Sequence, residues 1–213
     1  MPIPTRATLF LLALSPAVSA AQEYSTGESR FGAIAALTLS KFGGQDAEGS
    51  KLQFGFAAGG TVTLSLTRNV ALEPELLYVL RGSKFSSASG SSSVHIGYLE
   101  LPVLLILRIP PSKPGGVSPN VYGGVAGGFR IDCRVKASSG SVEVIQTCGN
   151  QSEPPPRRLD AGLVFGAGVE IRRIRAGVRY ELGMMKIHAG DPPNDIKNRT
   201  LFFLVGTSFP SFR

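Results

Sequence analysis

Apolar and polar side chains alternate with a period of two through most of this chain. Over 175–184 the odd positions read Arg175, Gly177, Arg179, Glu181 and Gly183, and the even positions read Ala176, Val178, Tyr180, Leu182 and Met184. Successive side chains of a strand point to opposite faces, so strict alternation over this length predicts strands and not helices. Seven segments keep the pattern over eight or more residues: 31–40, 51–67, 70–85, 120–133, 159–171, 175–186 and 200–209. An eighth, 94–109, keeps it less cleanly, because Leu104 and Ile106 fall on its polar face. In each strand one set is Leu, Val, Phe, Ile or Ala, and the other is Gly, Ala, Ser and a few charges. Pro74 and Pro102 lie inside strands, and a residue that cannot donate to the ladder is expected to mark a bulge at each.

The connections alternate in length. Arg68-Asn69 and Arg172-Arg173 make two-residue turns, and 110–119 is a compact Pro/Gly link. Between these lie the longer polar segments 41–50, 86–93, 134–158 and 187–199. Short turns at one end and long loops at the other are how outer-membrane barrels are built, with the short end periplasmic. An even strand count returns both ends of the barrel to that side. The expected fold is therefore all-β: an eight-stranded antiparallel up-and-down transmembrane β-barrel.

Which face points outward follows from packing. About forty apolar side chains would overfill an eight-strand interior, which holds only a packed side-chain core or one small ligand. The polar face, rich in Gly, Ala and Ser, suits a narrow lumen better than a soluble exterior. A lipocalin-like barrel with its apolar face inside is the alternative that this argument disfavours.

The beginning of the chain agrees. Residues 1–21 carry one cation, Arg6, then the apolar run 7–14, Ser15-Pro16, and the small residues 17–21. This is the pattern of a cleaved secretory leader, too short and too broken by Pro16 to span a bilayer. Residues 22–213 then form the barrel domain. Only 17% of residues are charged while 26 are Gly and 12 are Phe, and no later segment could cross a membrane as a helix, so strands must do so. The formal charge is +7, one unit of it from Arg6 in the leader. The cations are scattered and no recognition motif accompanies them, which argues against nucleic acid as a partner. For an exported barrel the expected counter-charges are outer-membrane lipids and lipopolysaccharide.

Three stretches carry a family resemblance: 72–85 (LEPELLYVLRGSKF), 97–105 (GYLELPVLL) and 121–129 (VYGGVAGGF). The chain resembles the PorT-type outer-membrane β-barrel family, whose hallmark is an acidic strand ending in Tyr-x-x-(Lys/Arg)-Gly. A Tyr-Leu-x-x-Pro strand and an aromatic, Gly-rich strand follow. The matching residues are Tyr78, Arg81 and Gly82; Tyr98, Leu99 and Pro102; and Tyr122, Gly123, Gly124, Gly127 and Gly128. The resemblance spans 31–209 and implies a small barrel of the OmpX or OmpA-domain sort. It carries over no catalytic residues and no cofactor. The long Cys-bearing loop and the Pro/Gly-rich fourth connection depart from the pattern.

On the inward face the alternation places Glu73, Glu75, Glu100, Asp160, Glu170 and Glu181 with Arg81, Arg108, Arg130, Arg175 and Arg179. An isolated charge in a dry lumen is very costly, so these are expected to pair and plug the bore. Cys133 and Cys148 flank one loop, and in an oxidising compartment an even pair reads as a disulfide, worth about 3 kcal/mol on the loop-entropy model. For chemistry, Ser93 and His95 share a strand face and His188 lies in another long loop. These would suit an outer-membrane lipid-modifying hydrolase with a site at the extracellular rim, the alternative reading. No phosphate-binding, dinucleotide or HExxH motif is present. The reading preferred is a monomeric, non-enzymatic barrel serving envelope structure, surface binding or adhesion, or assisting a secretion machine, with envelope or secretion proteins as partners.

Overall fold

A computed structural model describes residues 27–45, 47–87, 90–139, 142–148, 157–187 and 195–209. The expected leader and His188 lie outside the described residues.

The strands are β1 (Ser29–Gly43), β2 (Gln53–Ser65), β3 (Val70–Ser87), β4 (Gly90–Arg108), β5 (Val117–Ser139), β6 (Val142–Thr147), β7 (Leu159–Ile171), β8 (Ile174–Gly183) and β9 (Lys197–Ser208). All pairings are antiparallel. β1 pairs with both β2 and β9, and β4 with β5, so the sheet closes on itself. The ring runs β1-β2-β3-β4-β5-β7-β8-β9, eight strands, while β6 pairs only with the far end of β5. Closure removes sheet edges, which no open sheet could tolerate in hydrocarbon.

The apolar set faces out. Leu37 is 66% exposed, Phe54 70% and Val121 54%, whereas the alternate residues Glu73, Glu75, Arg81 and Glu100 are buried. At the periplasmic end, Ile171 pairs with Ile174 across the turn Arg172-Arg173, and Arg172 takes φ 56°, as tight hairpins of the primed type require.

Two expected loops are instead sheet. The polar segment 86–93 reads as a loop, yet β3 and β4 stay paired to Ser87↔Gly90. Likewise β5 runs past Cys133 to Ser139 and returns as β6, so 134–139 and 142–147 are paired strands and the sheet has nine strands among the described residues. Above the bilayer neither face of a strand meets lipid, so the alternation that reveals a strand is absent while the ladder itself persists.

The bulges expected at Pro74 and Pro102 are not there. Pro74 pairs with Val103 and Pro102 with Ala126 in unbroken register. A proline removes one ladder bond without requiring an extra residue. The register shifts instead at Gly97/Tyr98, where Tyr98 faces Arg130 and Gly97 faces Asp132, leaving Ile131 as the extra residue. This exchanges the faces of β5, so Phe129 points outward below the bulge and Cys133 is buried inside above it.

Leu104 and Ile106 also find their reason. They are buried with Ala71, Ala126 and Val164 as an apolar layer filling the lumen, and Tyr122 packs against it. A second layer joins Ile34, Ala57, Leu77, Val79, Phe202 and Leu204.

Candidate functional site

In the closed ring β3 and β8 are diametrically opposite, and side chains from these two strands meet across the bore. Arg179 donates both Nη atoms to the two carboxylate oxygens of Glu75, each at 2.7 Å. Arg175 pairs with Glu73, which also accepts the Thr63 hydroxyl, and Arg175 donates to the Thr61 hydroxyl at 2.8 Å. Nearer the extracellular side Arg81 is 1% exposed and gathers Glu181 at 2.7 Å, Asp160 at 3.7 Å and Glu100. Asp160 further accepts from Asn198 at 2.6 Å. The Arg81 guanidinium lies 5.7 Å from the Tyr98 ring and 5.9 Å from that of Phe202, so its positive charge also meets two aromatic faces. Bidentate, charge-assisted contacts of this kind are what make ion pairs tolerable away from water.

The inward residues named from the sequence fall into place unevenly. Glu73, Glu75, Arg81, Glu100, Asp160, Glu181, Arg175 and Arg179 form three ion-pair groups in the bore: Arg175 with Glu73, Arg179 with Glu75, and Arg81 with Glu100, Asp160 and Glu181. Glu170 pairs with Arg30 at 3.3 Å near the periplasmic end. Arg108 is buried and donates to the Ser65 hydroxyl at 2.9 Å and the Arg68 carbonyl at 3.2 Å, tying two periplasmic turns together. Arg130 is half-buried beside the bulge and its Nε has no hydrogen bond among the described residues. Sequence reasoning missed Arg30 and Asn198, and singled out Tyr98 only as a motif residue, not as a partner of Arg81. Arg30 was legible, since it precedes the outward Phe31 and so must face in. The roles of Tyr98 and Asn198 depend on which strands meet across the lumen.

The motif residues acquire physical reasons. Tyr78 faces lipid with its ring 5.7 Å from that of Phe56. Gly82, directly after Arg81, has no room for a side chain, because a methyl there would overlap the Val94 carbonyl oxygen. Its bare backbone is instead clasped by Ser40, whose hydroxyl accepts the Gly82 N–H at 2.8 Å and donates to the Gly82 carbonyl at 2.9 Å. Glycine at 82 thus fixes the strand that carries Arg81.

Toward the extracellular side of these ion pairs lies an apolar cluster: Phe42, Ala47, Ile96, Tyr98, Cys133 and Ile187, with Phe85, Val94, Cys148 and Ile196 against it. Cys133 and Cys148 are joined as a disulfide with Cα atoms 5.4 Å apart. The bond closes the β5–β6 hairpin at its base, where the Cys148 N–H donates to the Cys133 carbonyl at 3.2 Å. Among the described residues no strand pairs with the second edge of β6, which exposes Val144 and Ile145.

Ser93 and His95 lie on this extracellular part of β4. The His95 Nε2 sits 3.0 Å from the Gln53 side-chain nitrogen, and the charges that act on it most are the cations Lys84 and Lys136. No carboxylate orients it among the described residues. The described residues also hold no group of three or more His, Cys, Asp or Glu side chains placed to bind a metal.

The chain matches the model of the outer membrane protein beta-barrel domain over residues 20–189 and belongs to that family. It resides in the bacterial outer membrane. Among solved structures it is similar to Ail, the attachment invasion locus protein of Yersinia pestis, at 17% identity over 87% of this chain and 100% of that one, with a TM-score of 0.45. It is also similar to OprG of Pseudomonas aeruginosa (12% identity, 89% and 100% coverage, TM-score 0.48) and to Neisserial surface protein A (13%, 84% and 97%, TM-score 0.45). No curated protein matches the chain significantly.

Proposed function

We propose that the barrel is a non-enzymatic anchor that holds a braced extracellular sheet as a contact surface, serving surface binding or adhesion. The observation that carries this reading is the continuation of β3, β4, β5 and β6 as paired strands beyond the lipid-facing belt, clamped by Cys133–Cys148. A loop needed only to connect strands would not maintain such a ladder. A strand edge that meets no partner among the described residues and carries exposed Val144 and Ile145 is a ready template for an extended segment of a partner. The lumen serves as a plug: struts from β3 to β8 and apolar layers fill it, and eight strands leave no aqueous bore.

The PorT-type affiliation is the finer form of the family assignment, supported by Tyr78-x-x-Arg81-Gly82 and by the work those residues do in the fold. The hydrolase reading gains no support from His95, which is flanked by cations and has no carboxylate to orient it among the described residues. The test replaces residues 134–148 by a short turn on cells displaying the protein. Outer-membrane fractionation and heat-modifiable migration should persist while binding of cells to envelope or host-surface proteins is lost. Retained binding refutes the contact-surface reading, and turnover of lipid A or phospholipid by the purified barrel refutes the non-enzymatic one.

A further inference from the structure

The outward face of the extracellular sheet carries a line of cations set by strand register. Lys51 bridges to Lys84, with the Lys51 N–H donating to the Lys84 carbonyl at 2.8 Å and the reverse bond at 3.2 Å. Lys84 pairs with Ser93, and Ser93 pairs with Lys136. Directly cross-strand residues project to the same side, so Lys51, Lys84, Ser93 and Lys136 form one row at a strand spacing of about 4.8 Å. The adjacent row below it pairs Gly82 with His95 and His95 with Arg134. Both Lys84 and Lys136 act electrostatically on His95, which places them around a common centre.

This arrangement is unfavourable by itself. Like charges directly opposite in a sheet repel, yet among the described residues no ion pair engages Lys51 or Lys84. Asp132, on the same extension of β5, is engaged by Arg134 at 3.2 Å. What an anion would relieve is therefore present in the fold.

Height identifies the anion. The unbroken β3–β4 register puts Lys84 on the same face as Tyr78 and Leu80, and Tyr78 pairs with the lipid-facing Leu99. Lys84 lies four residues beyond Leu80, about 14 Å along the strand, and the usual barrel tilt sets it roughly 10 Å further out along the membrane normal than Leu80, the last outward apolar residue of β3 before it. A lysine stem reaches down several ångströms of this while keeping its ammonium in water. The groups found at that level of an outer membrane are the phosphates of the outer-leaflet glycolipid.

We propose that Lys51, Lys84 and Lys136, with the Ser93 hydroxyl and His95 between them, form a binding site for the phosphate groups of lipid A. The site is independent of the contact surface on β6, since its residues lie on β3, β4, the start of β5's extension and the segment before β2. Lys51 and Lys84 supply the charge that discriminates a phosphorylated lipid from an unphosphorylated one, and Ser93 supplies a neutral donor at the centre of the row.

The experiment titrates the barrel, refolded in phosphatidylcholine nanodiscs, with diphosphoryl lipid A, with dephosphorylated lipid A, and with inorganic phosphate alone, and counts retained ligand by native mass spectrometry. The unsubstituted protein is expected to retain diphosphoryl lipid A. The Lys51→Ala/Lys84→Ala double variant should bind it at least tenfold more weakly, and Lys84→Arg should retain binding. Lys113→Ala, on the periplasmic link, should match the unsubstituted protein. Equal binding by the double variant, or of dephosphorylated lipid A, overturns the site. Inorganic phosphate bound as tightly as lipid A overturns the glycolipid assignment. Salt tests the same contacts without any substitution, because at 1 M the screening length is about 3 Å: binding that survives there overturns the proposal.

Discussion

Replacing Arg81 by Met should be among the most damaging single changes to the barrel. The guanidinium is 1% exposed and is held by Glu100, Asp160 and Glu181. Methionine keeps the volume and removes the charge, leaving carboxylates gathered around nothing. Breaking a buried ion pair by deleting one partner costs about 3–5 kcal/mol, and loss of the contacts with the Tyr98 and Phe202 rings moves the figure toward the upper end of that range. The ratio of folded to unfolded protein should thus fall by a factor on the order of 10² to 10³ or more. The companion variant Arg81→Met/Glu100→Gln/Glu181→Gln removes most of the orphaned charge and leaves Asp160 with Asn198. It should recover most of the loss, because replacing a whole buried ionic group by neutral residues is often close to neutral. The chain has no Trp, so unfolding in urea is best followed by far-UV circular dichroism and by heat-modifiable mobility after refolding into vesicles. A Met variant with an unchanged midpoint, or a triple variant no better than the single one, would show that these charges are solvated and not a plug.

Other consequences are simpler to measure. Leu105→Arg and Val178→Arg, at lipid-facing positions 47% and 44% exposed, should each cost about 2–4 kcal/mol if they lie near the bilayer midplane, read as a lowered denaturant midpoint in vesicles. Gly82→Ala should destabilise by about 1–3 kcal/mol through overpacking against the Val94 carbonyl, whereas Gly127→Ala, with open space around it, should not; the same titrations separate them. Reduction of Cys133–Cys148 should expose the β5–β6 hairpin to protease on whole cells while the barrel stays embedded, and alkylation of both thiols without reductant would show that no bond forms. Planar bilayers should show no stable large channels, since stable conductance requires an open path through the lumen.

The sequence revealed most where strands meet lipid. Hydrocarbon on one side and a packed lumen on the other force strict alternation, so the facing of Leu37, Val178 or Glu75 could be read directly. Above the membrane that contrast vanishes. Ser86–Ser93 is polar on both faces and reads as loop, although its backbone is fully paired to Ser87↔Gly90. The bulge at Gly97/Tyr98 left no local signal either, and Pro102 drew attention to the wrong place. Within the lumen, residue identities were legible but partners were not. Arg179 meets Glu75, because pairing across a bore depends on which strands stand opposite after closure.

That geometry also bears on how the barrel is made. Arg179 and Glu75 are 104 residues apart, and Arg175 and Glu73 are 102 apart, so neither pair can form until the second half of the chain has been threaded and the β1–β9 seam is near closing. Contacts of such long sequence separation form late and slowly. An early intermediate with β1–β4 in place can already pair Glu100 with Arg81 but presents Glu73 and Glu75 without Arg175 or Arg179, and those two acids must stay hydrated. The nascent sheet is thereby kept from entering the hydrocarbon on its inner face, which leaves the hydrated interior of an assembling barrel as the side where β8 can arrive.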